Sequence, residues 1–143
     1  MPLTGTYQRT LDDKRRVAVP KRLRDEFGEV DLKSLYIAPG TNRSLVVYAP
    51  VAFEALAARM AGNPQQHNYL RLFYSSAERA DLDSQGRIRI PDRLAEHARL
   101  QHEAYLLGVQ DHAELWDKTT WDEFSAQLAS DFDQLAHAAW GGG

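Results

Sequence analysis

Apolar and polar residues change period repeatedly along this chain, and each change marks an element. Thr4 to Leu11 alternates loosely and predicts a strand. Asp12 to Arg15 is polar and reads as a turn, and Arg16 to Val19 as a second short strand. Pro20 suits a first helical position, where its missing N–H is not needed, so Lys21 to Phe27 predicts a short helix stopped by Gly28. Leu35 to Ala38 and Leu45 to Ala49 are apolar β-runs around Pro39-Gly40-Thr41-Asn42. Pro50 then opens an amphipathic helix with Phe53, Leu56 and Met60 on one face, ended by Gly62-Asn63-Pro64. Tyr69, Leu70, Leu72, Phe73 and Tyr74 predict a short buried helix linking two halves. Beyond it come a strand (Arg79 to Leu82), a turn (Ser84-Gln85-Gly86), a strand (Arg87 to Ile90), a proline and a short helix (Arg93 to Ala98). Tyr105 to Val109 and Glu114 to Asp117 are further β-runs. Phe124, Leu128, Phe132 and Leu135 lie at helical spacing, predicting one long helix from Trp121 to about Ala139.

The succession of elements occurs twice. Leu11 to Leu23 returns 71 positions later as Leu82 to Leu94, with Leu, Asp, Arg, Pro, Arg and Leu in register and β-branched pairs at 17/88 and 19/90. Val47-Tyr48 corresponds to Leu115-Trp116 and Phe53 to Trp121, at an offset of 68, which implies a shorter second β-connection. The repeat is too long for a solenoid unit. It predicts two β-β-α-β-β-α units about an internal pseudo-twofold axis. Short hairpins are marginal alone, so the expected fold is α+β, with both units closing one small β-barrel flanked by helices. The divisions are a first repeat over 1–62, a linking helix over 63–76, a second repeat with the C-terminal helix over 77–140, and a flexible tail over 141–143.

Composition narrows the function. The 143 residues contain no cysteine, which removes disulfides, thiolate metal sites and a Cys nucleophile. No apolar run approaches the ~20 residues of a membrane-spanning helix, and the N-terminus lacks the basic and apolar regions of a signal peptide. A soluble cytosolic protein is expected. The net charge of −3 hides a polarity. Residues 1–24 set seven cations (Arg9, Lys14, Arg15, Arg16, Lys21, Arg22, Arg24) against Asp12 and Asp13. Residues 111–143 set seven carboxylates against Lys118. The basic end coincides with the first motif copy, and the second copy is electrically balanced. Such a patch suits a polyanion, although a solvated charge run has the same composition.

Asp-x-x-x-Arg at a hairpin turn occurs as Asp12/Arg16 and Asp83/Arg87. An Asp opening a turn can accept from the turn's own amides and also fix the Arg by a charge-assisted pair. A guanidinium so held matches the two acceptors of a guanine's major-groove edge, and a two-stranded ribbon fits that groove. Lys14, Arg15, Lys21 and Arg22 then face phosphates. A surface salt bridge that merely closes the turn is the plainer alternative. For Arg22 and Arg93, on the short helices, pairing with acidic neighbours is the plainer reading. Catalysis has little support. The five histidines lack metal-ligand spacing, there is no phosphate-binding Gly-rich loop or nucleophile elbow, and adjacent Asp12 and Asp13 point apart. No cofactor is expected.

The doubled Leu-Asp-x-x-Gly-Arg-β-x-β-Pro pattern, with Glu114-Leu115-Trp116-Asp117 and Trp121 after the second copy, resembles the MraZ family of bacterial transcriptional regulators, relatives of AbrB-type DNA-binding domains. The likeness runs from about Thr4 to Phe124 and includes the linking segment Tyr69 to Ser75 with Ala77-Glu78. It implies a double-split or swapped-hairpin barrel and a ring-like homo-oligomer in the cytoplasm on the nucleoid. It also implies binding to tandem promoter repeats that control the division and cell-wall gene cluster. DNA contact then carries over to Arg16 and Arg87, with Asp12, Asp83 and Gly86 supporting the turns. One departure stands out: Gly86 keeps the family's glycine before the Arg, whereas Arg15 replaces it in the first copy. Either the first turn has another shape, or Arg15 takes up a positive φ and adds a cation at the tip. A non-enzymatic protein-interaction scaffold, or an antitoxin-like AbrB protein, is the alternative function. A toxin-neutralising tail is usually disordered and polar, whereas this C-terminus is periodic and aromatic.

Overall fold

The computed structural model describes residues 1–60 and 64–141. The predicted helix stop at Gly62-Asn63 and the boundary between 62 and 63 lie outside the described residues, as do the Met60 side chain, Gly142 and Gly143. The first repeat comprises β1 (Thr6–Thr10), β2 (Arg16–Ala18), α1 (Lys21–Glu26), β3 (Ser34–Pro39), β4 (Leu45–Tyr48) and α2 (Pro50–Met60). After α3 (His67–Ser76), the second comprises β5 (Glu78–Asp81), β6 (Arg87–Arg89), α4 (Asp92–His97), β7 (Glu103–Val109), β8 (His112–Asp117) and α5 (Lys118–Ser130), followed by α6 (Phe132–Trp140).

The strands form a six-stranded antiparallel sheet, ordered β1-β7-β8-β4-β3-β5, and a separate ribbon, β2-β6. Exchanging each strand for its repeat counterpart reverses the sheet order onto itself, so the pseudo-twofold axis runs between β8 and β4. Equivalent residues face one another there, Val46 opposite Glu114 in the sheet and Val17 opposite Ile88 in the ribbon. The outer strands are exchanged: β1 pairs with β7 of the second repeat and β5 with β3 of the first. The α+β class holds, but the ladders do not close into the expected barrel. Among the described residues β1 and β5 are sheet edges. The ribbon strands stop after three residues because Pro20 and Pro91 follow closely and have no N–H to extend a ladder.

Both prolines sit one position earlier than expected. Pro20 (ψ 143°) and Pro91 (ψ 148°) are N-caps, still extended, because the ring fixes φ and leaves ψ free. Pro50 does begin its helix. The shortening of the second repeat lies mostly between the short helix and the next strand (27–33 against 98–102), and less in the β-connection.

Val17, Ile88, Leu23 and Leu94 descend from the ribbon and short helices onto Leu35, Ile37, Leu45, Leu106 and Leu115 of the sheet, forming one core. Burial of each such side chain contributes about 1.5–3 kcal/mol. Phe53 anchors a second cluster, stacked on Tyr36 at 4.4 Å and close to Phe73 at 6.0 Å. That contact docks α3, but the expected buried helix is only partly buried: Phe73 is inside while Tyr69 and Leu72 face solvent. The expected long C-terminal helix is two helices. Asp131 (φ −106°, ψ 8°) breaks it, Ser130 Oγ donates back to the Gln127 carbonyl, and Phe132 and Leu135 are exposed. Ser and Asp offer backbone groups a local alternative to the helix, which periodicity does not register.

Candidate nucleic-acid interface

Both Asp-x-x-x-Arg turns have one geometry. In the first, Asp12 Oδ1 accepts from the Lys14 and Arg16 backbone N–H groups (2.9 and 2.8 Å) and Oδ2 from Arg16 Nε (2.7 Å). In the second, Asp83 Oδ1 accepts from Gln85 and Arg87 N–H (2.9 and 2.9 Å) and Oδ2 from Arg87 Nε (2.8 Å). Arg15 N–H donates to the Asp12 carbonyl at 3.0 Å, as Gly86 N–H does to that of Asp83. Arg15 stands at φ 57° and Gly86 at φ 75°. The first turn therefore has the same shape as the second, with Arg15 in the left-handed region. The Arg16 backbone N–H is the foremost cause holding the Asp12 carboxyl below its usual range, helped by the Arg16 guanidinium, and Arg87 does the same for Asp83.

The ribbon brings the turns side by side. Arg16 lies opposite Arg89 and Ala18 opposite Arg87, with Val17 and Ile88 pointing inward between them. Val19 N–H donates to the Gly86 carbonyl and Ile90 N–H to that of Arg15, both at 2.9 Å, stitching each turn to the other repeat. Arg87 Nη1 lies 3.9 Å from Asp12 Oδ2, so the two motif guanidiniums share one patch. Their side chains are 32% (Arg16) and 28% (Arg87) exposed, neither sealed nor splayed. Each is bonded through Nε to its own Asp. Among the described residues no hydrogen bond takes the Nη groups, so each guanidinium keeps N–H donors for a further acceptor, although Arg87 Nη1 also approaches Asp12.

The flanking cations differ in freedom. Lys14 is exposed at the first tip. Arg15 reaches Asp92 at 3.4 Å. Lys21 pairs with Asp25 (3.0 Å) and Arg22 with Glu26 (3.4 Å), one turn along α1. The acidic pairing considered for Arg22 is thus present, with Glu26 largely buried, whereas the Lys21–Asp25 pair is exposed on both sides and of a kind that contributes only about 0.3–0.5 kcal/mol. Sequence reasoning missed Asp92, which also faces Arg89 (3.6 Å), and Arg24, whose Nε donates to the Val19 carbonyl at 3.1 Å. Superposing the repeats residue by residue was the available signal: Asp92 stands where the first copy has Lys21, and Ala95 where it has Arg24.

The Glu114–Asp117 segment is structural. Asp117 caps α5 by accepting from Thr119 N–H (3.1 Å) and also takes Gln101 N–H (3.1 Å). Trp116 packs on Trp121 and Phe124, and its Nε1 donates to Glu114 (2.9 Å). Among the described residues no group of three or more His, Cys, Asp or Glu is placed to hold a metal ion. No helix among them is long and apolar enough to cross a membrane.

Comparison with known proteins meets this geometry. The family model described as "MraZ protein, putative antitoxin-like" matches twice, over residues 3–74 and 73–140. Proteins named transcriptional regulator MraZ share 35% identity in Limosilactobacillus fermentum (92% of each chain) and 32% in Alkaliphilus oremlandii (93% of each). One from Finegoldia magna shares 34% over 91% of each. These relatives are named as regulators and not as enzymes. The two matched stretches each contain one Asp-held arginine turn, and the chain belongs to the MraZ family.

Proposed function

We propose that this chain is a sequence-specific DNA-binding transcriptional regulator. The observation that carries the reading is the adjacent pair of guanidiniums, each fixed by its own carboxylate at 2.7 and 2.8 Å, on one face of a two-stranded ribbon. In this reading Arg16 and Arg87 address guanine edges in the major groove. Lys14, Arg15, Lys21 and Arg22 meet phosphates. Asp12, Asp83 and Gly86 hold the turns.

One chain offers few phosphate contacts. Binding therefore involves several copies on tandem promoter repeats, linked in a ring-like homo-oligomer that raises the effective concentration of each site. The apolar residues left on the surface, Tyr69 and Leu72 of α3 and Phe132, Leu135 and Trp140 of α6, support chain–chain contact. As a regulator, the protein acts in the cytoplasm on the nucleoid. The family likeness points to the division and cell-wall gene cluster as its target.

The test is binding to duplex DNA from upstream of the protein's own coding sequence, with repeat number varied. Affinity rises with repeat number for the wild type. Arg16→Ala or Arg87→Ala each weakens binding by about 1–3 kcal/mol, the worth of one bidentate pairing to guanine. Unchanged binding by the double variant overturns direct readout. Failure of the wild type to shift any promoter duplex at low salt, together with capture of a protein partner, replaces the regulator by a scaffold.

A further inference from the structure

We propose that Arg24 is a positioning residue for the second turn, reaching across from the first repeat to hold the Asp83–Arg87 pair in its DNA-facing geometry; the inference rests on the DNA-binding reading above. Gly86 is buried at φ +75°, and a Cβ built on it would lie 2.9 Å from Arg24 Cζ, 3.1 Å from Nε and 3.2 Å from Nη2. The guanidinium therefore lies against the Gly86 backbone, in the space a side chain would take. The same group is tied down, since Arg24 Nε donates to the Val19 carbonyl at 3.1 Å. Val19 N–H donates in turn to the Gly86 carbonyl, Gly86 N–H to the Asp83 carbonyl, and Asp83 Oδ2 accepts Arg87 Nε. An unbroken run of hydrogen bonds thus leads from α1 of one repeat to the recognition arginine of the other.

The first turn is supported differently. The repeat places Ala95 where Arg24 stands, so the first turn has no counterpart of Arg24; the guanidinium nearest its Asp12 from the other repeat is that of Arg87, with Nη1 at 3.9 Å. Its left-handed position carries a side chain of its own, Arg15, which extends to Asp92. The two turns are thus braced by different partners from the opposite repeat: glycine is faced by an incoming arginine, and arginine extends to an aspartate. This accounts for both the retained Gly86 and the departure at Arg15. A side chain at position 86 must displace Arg24, whereas one at position 15 meets no counterpart.

The experiment compares wild type, Arg24→Ala and Arg24→Lys. One readout is amide exchange of Gly86 and the Arg87 Nε–H resonance by NMR. The other is affinity for the upstream duplex and for a scrambled duplex of equal length, across a series of salt concentrations. Arg24→Ala speeds Gly86 exchange and moves the Arg87 signal. It lowers the upstream-to-scrambled affinity ratio about threefold to tenfold, the loss of one ordinary hydrogen bond, and leaves the salt slope unchanged. Arg24→Lys, which keeps a donor for Val19, restores part of the ratio. A salt slope reduced by about one, with both duplexes weakened equally, makes Arg24 a phosphate contact and overturns the proposal. Unaltered Gly86 exchange and an unaltered ratio also overturn it. If the wild type binds neither duplex, the DNA reading falls, and the NMR comparison alone decides whether Arg24 holds the turn.

Discussion

Asp12 gives one carboxylate oxygen to two backbone N–H groups of its own turn and the other to Arg16 Nε, so a single side chain sets both the bend and the direction of the cation. The same holds at Asp83. Both carboxyls are held below their ordinary value of 3.8, with the backbone hydrogen bonds as the foremost cause. A depressed folded pKa stabilises above the unfolded value and is lost as pH falls through the folded one. The turns are therefore fully held at about pH 5 and loosen below about 3.8. Thermal unfolding between pH 2 and 6 reads this, and Asp12→Asn with Asp83→Asn flattens the acid limb. The Asp and Arg of this device were legible because turn chemistry is local. Arg24 and Asp92 were not, because their roles depend on the other repeat's turn being brought against them.

Periodicity located nearly every strand and helix, since it reports which residues share a face. It did not report whether a partner covers that face: Phe132 and Leu135 are spaced for a core yet exposed. Nor did it reveal where backbone crosses backbone. Leu3 exchanges hydrogen bonds with Gln110, and a Cβ on Gly108 would lie 2.3 Å from the Thr4 nitrogen and 2.6 Å from the Leu3 carbonyl carbon. Gly108→Ala therefore pushes the N-terminal segment off β7. Its cost is about 1–3 kcal/mol, as for overpacked sites, measurable by urea unfolding. On β8, burial lowers the His112 pKa, but hydrogen bonds to Glu114 and Asp111 outweigh it and raise it overall. Arg59 from α2 pairs with Asp111, and Tyr48 of β4 stacks on the imidazole at 4.8 Å. A raised folded pKa stabilises below the unfolded 6.5 and is lost as pH rises through the folded value. Urea midpoints should accordingly fall as pH rises from 6 to 8, and His112→Gln should remove that slope.

At the scale of the molecule, the two repeats share a frame and differ in charge. Lys21 of the first stands where the second has Asp92, which draws on both Arg15 and Arg89. Asp92→Asn frees those cations for phosphate. It should tighten binding to any duplex and steepen the salt slope by about one unit, while Lys21→Ala flattens it by a similar amount; titrations at 50–300 mM salt measure both. The internal duplication was plain in the residues, and the pseudo-twofold followed from it. The exchange of outer strands was not, because a strand's sequence specifies which face is buried and leaves the neighbour's identity to packing. That exchange sets a timetable for synthesis. Thr6 has no strand partner until Leu107 has been made. At about 5–20 residues per second the nascent edge waits several seconds at the mouth of the ribosome. The first repeat's own outer strand is thus seated only by chain made after it.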